Sequence, residues 1–454
     1  MITSDTIVAA ATPHGYGGIS VVRMSGSESK NIIRSVSIRP KNKKAFFKHK
    51  TVSLVRLIDE TNSPFEEGLV TFFRNPHSYT GEDVIEISCH GSPSIVNKLI
   101  SACCDRGARV AEPGEFTKRA FLNGKIDLIQ AESVAALIQS KTSECASLNF
   151  KMLNGDLSFL MENIKKLLIG LLSKIEFELD VSEESLQPEL FDISLETLAS
   201  CNVSIKKALS NYNSFRMLNE GACVVICGEP NVGKSTLLNC LSGSSRAITS
   251  PYAGTTRDTV ESTISIGGVP VTLIDTAGLR SSDNKIEKEG VLRAEEKISN
   301  SDCIVFLTST NGSIKSPWFE FTGAPVIHVI NKSDLCTKQE LSSLKKQNPK
   351  AVVVSAKTSY GTEMLLKTIK DRVGISPSLG SSVPIITNRQ NTILKKILNL
   401  VKNASSLLSG SDTVPYELVS FELRDALGQL DCILGKTVTD DILDSVFSDF
   451  CVGK

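Results

Sequence analysis

A glycine-rich segment at residues 228–236 constrains the fold of this chain more than any other stretch. It reads Gly-Glu-Pro-Asn-Val-Gly-Lys-Ser-Thr, follows the apolar run 223–227 and precedes three leucines at helical spacing. A strand, a glycine-rich loop and a helix in this order direct backbone N–H groups and the positive end of the helix toward phosphate. The pattern therefore predicts a phosphate-binding loop, with Lys234 neutralising the β- and γ-phosphates and Ser235 ligating Mg²⁺.

The length and charge of the chain set limits on the rest. Its 454 residues exceed what one hydrophobic core supports, so two or three domains are expected. The net charge of zero indicates no nucleic-acid or membrane surface over the whole molecule, but leaves a local basic patch open. The first residues carry no signal-peptide pattern, and no apolar run reaches membrane-spanning length. We therefore expect a cytoplasmic protein without a membrane partner.

The twelve cysteines show no metal-binding spacing. No Cys-x-x-Cys pair occurs, and Cys103 and Cys104 are adjacent. In a reducing compartment we expect most of the twelve to be small core residues.

Residues 1–120 have the pattern of a mixed α/β domain. Strands are predicted at 19–22 and 84–87, and a helix at 94–104. Two loops are predicted, at 12–18 and 79–83.

Two N-terminal segments have alternative interpretations. The glycines of loop 12–18 fit either a tight turn or a close approach of the backbone to a ligand, and the residues alone favour the turn. Segment 39–50 is basic and contains Phe46 and Phe47. Its composition favours a solvated loop between strands over an RNA-binding patch.

Long helices are predicted from residue 121 to 218 and again after residue 379. Each apolar helix stripe must be buried against another element, so the economical arrangement packs the two helical blocks together. The predicted domains are then an α/β domain at 1–120, a helical domain built from 121–218 and 379–454, and a phosphate-loop domain at 219–378 inserted between its halves. The stripes are Leu160, Ile164, Leu167, Leu168, Leu171 and Ile175; Leu394, Ile397, Leu398 and Val401; Val419, Leu423, Leu427, Leu430 and Leu434; and Val438, Ile442, Val446 and Phe450.

Two further motifs in the inserted domain surround the phosphates. In the loop 253–258, Thr256 can complete the Mg²⁺ shell and contact the γ-phosphate. A buried strand at 271–274 leads to Asp275-Thr276-Ala277-Gly278. There, Asp275 can hold a Mg²⁺-bound water, and the N–H of Gly278 can meet the γ-phosphate.

The next motif selects the base. A strand at 326–330 leads to Asn331-Lys332-Ser333-Asp334, and a strand at 351–354 leads to Ser355-Ala356-Lys357, which would close over the base. The Asp334 carboxylate can accept from the N1–H and the amine of guanine, a donor pair that adenine lacks. The motifs together predict a Ras-like GTPase domain. The residues that these motifs predict to bind GTP are Asn231, Val232, Gly233, Lys234, Ser235, Thr236, Ala253, Gly254, Thr255, Thr256, Asp275, Thr276, Ala277, Gly278, Asn331, Lys332, Asp334, Ser355, Ala356 and Lys357.

The groups that catalyse hydrolysis are not evident from these motifs. Ras-like domains place a water-orienting glutamine directly after the Asp-x-x-Gly motif, but Leu279 stands at that position here. The sequence also identifies no arginine finger. Another group must orient water and neutralise the developing charge.

From Asp5 to Lys454 the chain resembles the tRNA modification GTPase family called MnmE or TrmE. Many GTPases carry the nucleotide motifs, whereas the N-terminal segments and the C-terminal cysteine segment are specific to this family. The segments that carry the resemblance are 5–9, 12–18, 80–83, 113–116, 119–123 and 450–454.

The resemblance implies a homodimer whose G domains meet across their nucleotides, with K⁺ in the place of an arginine finger. The implied K⁺ ligands are Asn231, Ser250, Thr255 and, through its backbone carbonyl, Tyr252. The resemblance also extends the predicted GTP site to Ser250, Pro251 and Tyr252. A cation there would stabilise the transition state electrostatically. The catalytic glutamate of the family, acting through water, corresponds to Glu287. Without the resemblance, Glu287 reads as a solvated residue at a helix start.

The resemblance also implies a folate, 5-formyl- or 5,10-methylene-tetrahydrofolate, bound to the N-terminal domain as a one-carbon source. Its site corresponds to Arg23, Glu82, Lys125 and Lys454. We hypothesise that Glu82 accepts from the pterin edge, while Arg23 and Lys125 contact the glutamyl carboxylates. Cys451 is a candidate reactive thiol in the family, although a cysteine in this position alone supports no catalytic role.

The function implied is that of a K⁺-dependent, dimerisation-activated GTP hydrolase that acts on tRNA. In a heterotetramer with an FAD-containing partner of the MnmG (GidA) family, it would add a carboxymethylaminomethyl or aminomethyl group to C5 of the wobble uridine. Two alternatives stay open at this point. One is a ribosome-assembly GTPase of the Era or Der type, and the other is a non-catalytic scaffold whose GTP times partner binding.

Overall fold

A computed structural model describes residues 5–38, 48–181, 188–210, 212–244, 261–275, 298–299, 301–310, 324–374, 387–409, 414–448 and 450–454. The chain divides into two compact units. One unit consists of residues 1–135, 152–165 and 427–454, and the other of residues 136–151 and 166–426.

The first unit contains a sheet of seven strands in the spatial order β3-β4-β5-β6-β2-β1-β7. Neighbouring strands are antiparallel except β1 and β7, which are parallel. The strands are β1 (Thr6–Ala10), β2 (Gly17–Ser25), β3 (Ser37–Ile38), β4 (Val52–Ile58), β5 (Pro64–Phe73), β6 (Val84–Gly91) and β7 (Ala108–Val110).

Helices α1 (Ser29–Ser35) and α2 (Pro93–Cys104) pack on one face of this sheet. The alternation of side chains along a strand explains which residues form the core. On β6, Ile85, Ile87 and Cys89 are buried beneath the helices, while His90 is exposed. The strands predicted at 19–22 and 84–87 and the helix predicted at 94–104 are confirmed within longer elements.

One end of the predicted loop 12–18 was wrong. Gly17 and Gly18 belong to β2, and Gly17 pairs with Gly91 at an irregular register. A Cβ atom on Gly91 would lie 2.4 Å from the carbonyl oxygen of Gly17. The glycines therefore permit a close approach of two backbones within the sheet. A glycine-rich sequence does not distinguish such a strand pairing from a loop.

Helices follow the first sheet, and the predicted helical stripe at 160–175 lies in the longest of them. Most of its residues are buried, including Ile164, Leu168 and Ile175, but Leu167 is 44% exposed. These helices are α3 (Glu115–Leu122), α4 (Leu128–Ile138), α5 (Ser143–Leu153), α6 (Asp156–Val181), α7 (Pro188–Ser210) and α8 (Tyr212–Glu220).

The second unit contains a six-stranded sheet in the order β13-β12-β11-β8-β10-β9. All neighbours are parallel except β9, which runs antiparallel to β10. The parallel strands are almost continuously apolar because helices cover both faces of such sheets. The strands are β8 (Ala222–Gly228), β9 (Glu261–Ile266), β10 (Val269–Asp275), β11 (Cys303–Ser309), β12 (Val326–Asn331) and β13 (Val352–Val353).

The predicted strands at 223–227, 271–274 and 326–330 are confirmed as β8, β10 and β12. The strand predicted at 351–354 is shorter, since only Val352 and Val353 form β13. Seven strands were not predicted from the sequence: β1, β3, β4, β5, β7, β9 and β11. The helices of this part of the chain are α9 (Lys234–Ser244), a 3₁₀ helix (Ser333–Leu335), α10 (Lys338–Gln347) and α11 (Thr362–Val373).

Three helices complete the described chain, α12 (Asn388–Ser409), α13 (Tyr416–Leu434) and α14 (Asp440–Ser448). The predicted stripes of α12 and α13 are largely buried, and α12 packs against α7 within the second unit. The stripe at 438–450 was partly wrong, because Ile442 is 38% exposed. In the part of the chain that the structure describes, every helix is too short or too polar to span a lipid bilayer.

The cysteine prediction was half right. Six of the twelve cysteines are buried, five are partly exposed and Cys451 is exposed. Burial raises the pKa of the Cys201 thiol to about 11 and that of Cys227 to about 12. These two thiols therefore stay protonated near neutral pH and act as apolar core groups.

Strand β4 contains one buried and one exposed leucine, which together allow a test of the core of the first sheet. Leu57 of β4 is fully buried, whereas Leu54 of the same strand is 51% exposed. Leu57→Ala should lower the free energy of opening of this sheet by about 2–5 kcal/mol, through lost burial and a residual cavity. Hydrogen exchange of the β4 and β5 amides in the full-length chain measures this quantity. The matched variant Leu54→Ala should change it by less than about 0.5 kcal/mol, and equal losses in the two variants would contradict the assigned register.

Candidate functional site

The phosphate-loop pattern lies between β8 and α9, as the sequence predicts. Two of its glycines are required by the backbone. Gly228 has a φ of +149°, and a Cβ there would lie 2.2 Å from the carbonyl oxygen of Leu307. Gly233 has a φ of +96°, and its Cβ would lie 2.5 Å from Nδ2 of Asn331. A side chain at Gly228 would clash with the backbone of β11, and one at Gly233 would displace the amide of Asn331.

Lys234 begins α9, and its side chain folds back over the loop. The residue is only 8% exposed, and its Nζ donates to the carbonyl oxygens of Gly228 at 3.2 Å and Glu229 at 3.0 Å. An ammonium group held over the loop and next to the start of a helix favours an anion at this place.

The structure brings together two of the residues predicted around Mg²⁺. Oγ of Ser235 donates to Oδ2 of Asp275 at 2.6 Å, and Asp275 is 1% exposed. Ser235 is in the first turn of α9, and Asp275 ends the parallel strand β10, which neighbours β8. Hard divalent cations take oxygen ligands of these two types.

Asn331 connects the phosphate loop with the segment predicted to close over the base. Its Nδ2 donates to the carbonyl oxygen of Val232 at 2.9 Å, and its Oδ1 accepts from the N–H of Ala356 at 3.0 Å. Asn331 is 2% exposed, so both hydrogen bonds are shielded from water. Its position indicates a role in holding two loops together.

Asp334 and Ser355 also lie together at this end. Oγ of Ser355 donates to Oδ1 of Asp334 at 2.6 Å. This hydrogen bond, and then the charges of Lys357 and Lys332, hold the pKa of Asp334 below its usual value. The carboxylate therefore stays ionised and can accept two donors from a base.

Several predicted nucleotide-site residues lie outside the described residues. These are Ser250, Pro251, Tyr252, Ala253, Gly254, Thr255, Thr256, Thr276, Ala277, Gly278 and Glu287.

In the first unit, the structure places Arg23 and Lys454 near each other. Arg23 donates to Oε1 of Glu86 at 2.8 and 3.0 Å, and its guanidinium lies over the rings of Tyr79 and Phe116. Burial first, and then the positive charge of Arg23, lower the pKa of Lys454. Two cations share this place with the carboxylate of Glu86, which makes it favourable for a further anionic group.

Glu82 and Lys125 lie around the turn at 79–83. Glu82 accepts from Oγ of Ser25 at 2.7 Å, and Lys125 donates to the carbonyl oxygen of Pro76 at 3.0 Å. The stem of Lys125 passes close to Gly81, where a Cβ would lie 3.3 Å from its Cγ. Glu82 therefore belongs to this turn, and the side chain of Lys125 packs against it.

The C-terminal segment is anchored, and the anchoring begins at Phe450, the last residue of the predicted stripe at 438–450. Phe450 is 7% exposed, and Val452 bridges to Pro113. At Gly453, with a φ of +96°, a Cβ would lie 2.0 Å from the carbonyl oxygen of Ala10. Cys451 is exposed between these anchors.

Sequence reasoning missed Arg119, which is 4% exposed and is the centre of a charged cluster. Its guanidinium donates to Oδ1 of Asp5 at 2.7 Å and to Glu82 at 3.1 Å, and lies 3.5 Å from Glu115. Burial alone would raise the pKa of Asp5, but the hydrogen bond from Arg109 and the charge of Arg119 lower it. The available signal was the segment 119–123, which carries the family resemblance without any assigned role.

Arg119 yields a second prediction. Arg119→Met leaves the carboxylates of Asp5 and Glu82 in place but removes their partner. The variant should destabilise the first unit by about 2 kcal/mol. This loss is smaller than that for breaking a fully buried ion pair, because Asp5 is partly exposed. Hydrogen exchange of the α3 amides in the full-length chain measures the loss.

The neighbouring variant Lys118→Met is the control. Lys118 forms an ion pair with Asp444, whose side chain is 69% exposed. This variant should therefore lose at most about 1 kcal/mol of stability. If the two variants lose the same stability, Arg119 does not hold the cluster together.

The fold and site define a class of protein. Three features together are the site of a P-loop GTP-binding protein. They are a phosphate loop after a central parallel strand, an acidic residue at the end of the neighbouring strand, and an Asn-Lys-Ser-Asp segment that begins with the last residue of β12.

Comparison with known proteins identifies the family. The model of the GTP-binding protein TrmE N-terminus matches residues 6–125, and that of the MnmE helical domain matches residues 128–451. The tRNA modification GTPase MnmE of Aquifex aeolicus (strain VF5) is 37% identical over 455 residues, covering 99% of this chain and 100% of that protein. The protein of that name from Pseudothermotoga lettingae is 38% identical, with the same coverage. The chain belongs to the MnmE family of tRNA modification GTPases, which confirms the resemblance seen in the sequence.

Solved structures are similar over part of the chain. Aquifex aeolicus Era bound to GDP.AlF4- is 26% identical, with a TM-score of 0.28, over 39% of this chain and 66% of that one. The G domain of the T. maritima FeoB iron transporter is 24% identical, with a TM-score of 0.26, over 33% of this chain and 98% of that one. The assignment depends on the family models and the full-length relatives instead.

Proposed function

We propose that this chain is a K⁺-dependent GTPase, activated by dimerisation, that modifies the wobble uridine of certain tRNAs. GTP hydrolysis in tRNA modification follows from membership of the family. The finer proposal includes Mg²⁺, a tetrahydrofolate one-carbon donor and an FAD-containing partner of the MnmG type in a heterotetramer. It also places the protein in the cytoplasm. Together the two proteins would add a carboxymethylaminomethyl or aminomethyl group to C5 of the uridine.

The observation that carries the proposal is the joined nucleotide site in a chain that matches MnmE proteins over its whole length. Asn331 links the phosphate loop to the Ser355–Lys357 segment, and Asp334 is held ionised for two donors. The position of Asp334 supports guanine as the base. Guanine offers two donors to this carboxylate, whereas a base without them would bury the charge unpaired, at a cost in binding free energy.

The residues present fit Mg²⁺. Ser235 and Asp275 place a hydroxyl and a carboxylate within hydrogen-bonding distance of each other at the ends of adjacent elements. Thr256, the third predicted oxygen donor, lies outside the described residues. Bound there, the ion would neutralise charge on the phosphates.

Asn231 fits a monovalent cation. It has a φ of +61°, it is exposed, and within the described part of the chain its side-chain amide makes no hydrogen bond. A neutral amide oxygen is therefore available to a cation, which would stabilise the charge that develops during hydrolysis. The remaining proposed ligands, Ser250, Tyr252 and Thr255, lie outside the described residues.

This assignment gives a third prediction. Asn231→Lys puts an ammonium group near the proposed cation and should abolish the stimulation of GTP hydrolysis by K⁺, because the two positive charges repel each other. GTP turnover in KCl and NaCl buffers of equal ionic strength measures the effect. Stimulation that persists in this variant would exclude Asn231 as a ligand.

Glu287 gives a fourth prediction. Leu279 cannot orient water, and we propose that Glu287 does so through a water molecule. Glu287→Ala should slow hydrolysis on the order of 10²-fold, with GTP affinity nearly unchanged. Single-turnover hydrolysis and equilibrium nucleotide binding, measured on one preparation, separate the two quantities. A large loss of affinity would indicate that Glu287 is structural.

The first unit fits an anionic ligand such as a folate. Arg23 and Lys454 place two cations against the carboxylate of Glu86, and the aromatic rings of Tyr79 and Phe116 lie beside Arg23. Glu82 and Lys125 are at the nearby turn 79–83. We propose that these groups bind and orient the ligand, with Arg23 and Lys125 on its carboxylates. Tetrahydrofolate would supply the one-carbon unit, and the exposed Cys451 thiol is a candidate participant.

The proposed domain arrangement has support within the second unit. Helix α7 precedes the six-stranded sheet in the chain and α12 follows it, yet the two helices pack against each other. We propose that the G domain at 219–378 is inserted between the two halves of one helical domain.

Nucleoside analysis of tRNA tests the modification itself. Deletion of the gene should remove the modified wobble uridine, and the full-length chain should restore it, whereas Glu287→Ala should not. Unchanged wobble uridines after deletion would defeat the proposal and favour a GTPase that acts in ribosome assembly.

A further inference from the structure

Asn331, the last residue of β12, and the next residue, Lys332, donate hydrogen bonds to two consecutive carbonyl groups of the phosphate loop. Asn331 donates to the carbonyl oxygen of Val232 at 2.9 Å, and Nζ of Lys332 donates to that of Asn231 at 2.6 Å. A charge-assisted hydrogen bond of this length is among the stronger ones in proteins. The middle of the loop is thereby fixed from the base end of the site.

The Lys332–Asn231 bond joins two residues in unusual backbone conformations. Asn231 has a φ of +61° and Lys332 a φ of +65°, both in the left-handed region that residues with a side chain rarely occupy. Such conformations cost about 1–3 kcal/mol and persist where surrounding contacts fix them. A hydrogen bond between the two therefore stabilises both at once.

The orientation of the Asn231 side chain depends on this backbone conformation. Within the described part of the chain, its side-chain amide makes no hydrogen bond that would direct it. A change of φ at Asn231 would swing the side chain away from its present direction. The hydrogen bond from the ammonium group of Lys332 to the carbonyl oxygen of Asn231 resists this change.

We propose that Lys332 is a positioning residue for the monovalent cation, which it acts on by fixing Asn231. This inference rests on the proposed role of Asn231 as a K⁺ ligand. Because Lys332 belongs to the base-recognition segment, the same bond would make cation affinity depend on an ordered guanine end of the site.

A competing electrostatic effect has the opposite sign. The positive charge of Lys332 repels a nearby K⁺, so its removal would tighten cation binding if repulsion were the larger effect. The Lys332 side chain is partly exposed, and exposed charges are screened by water and salt. Positioning should therefore outweigh repulsion.

The experiment measures cation binding without turnover. The full-length chain is saturated with Mg²⁺ and a non-hydrolysable GTP analogue, and its thermal midpoint is followed as KCl replaces NaCl at constant ionic strength. A bound ligand raises the midpoint with its concentration, so the titration gives the half-saturating K⁺ concentration. Analogue affinity is measured separately for each variant so that saturation is maintained.

Lys332→Met should raise the half-saturating K⁺ concentration about tenfold, because this change corresponds to the free energy of one lost hydrogen bond from a charged group. Lys345→Met removes another exposed lysine of this domain, on α10, which donates to Tyr360 and not to Asn231. Its titration should match that of the unmodified chain.

A double-mutant cycle separates positioning from a general structural effect. Asn231→Gly tolerates the positive φ but lacks the side-chain oxygen. In that background, Lys332→Met should have no further effect on K⁺ binding, because the group it positions is absent. An equal shift in both backgrounds would overturn the inference.

The outcomes also distinguish this inference from the proposal on which it rests. If the unmodified chain shows no difference between K⁺ and Na⁺, the proposed cation dependence fails. If it shows the difference and Lys332→Met leaves the titration unchanged or tightens it, the cation proposal stands and the positioning role of Lys332 is wrong.

Discussion

The nucleotide site depends on the buried side-chain amide of Asn331. Strands β8 and β12 are separated by β11, so their carboxyl ends are about 10 Å apart at the usual strand spacing. An amide is both donor and acceptor, and Asn331 uses both, toward the carbonyl oxygen of Val232 and the N–H of Ala356. It thereby fixes the phosphate and base ends relative to each other. Gly233 permits this contact because it has no side chain to displace the amide.

Electrostatics organise the N-terminal unit in a comparable way. Arg119 is nearly inaccessible to water and lies among Asp5, Glu82 and Glu115. A buried guanidinium is tolerated only when carboxylates compensate its lost hydration. The cluster ties the start of β1, the turn at 79–83 and helix α3 together. The C-terminal segment then docks beside β1, where Gly453 meets Ala10. Segments near the two ends of the chain are consequently in contact within this unit.

Strands with a clear hydrophobic pattern were predicted correctly from the sequence, and strands with a weak pattern were missed. Strands β8, β10 and β12 were predicted correctly because they are apolar runs that end in nucleotide motifs. The adjacent β4 and β5 were missed. Their outward positions include Leu54 and Leu69, which are 51% and 45% exposed, so the alternation of polar and apolar residues is weak.

The candidate sites divide in the same manner. The sequence by itself determined the phosphate loop, the guanine motif and the family, because these depend on residue types at fixed local spacing. Only the tertiary structure decided that Asn331 holds two loops, that Lys332 contacts the backbone of Asn231, and that Arg119 pairs with Asp5 and Glu82. Those contacts join residues about 25 to 114 positions apart. No local pattern encodes such pairs, since they form only when packing of the sheets brings distant segments together.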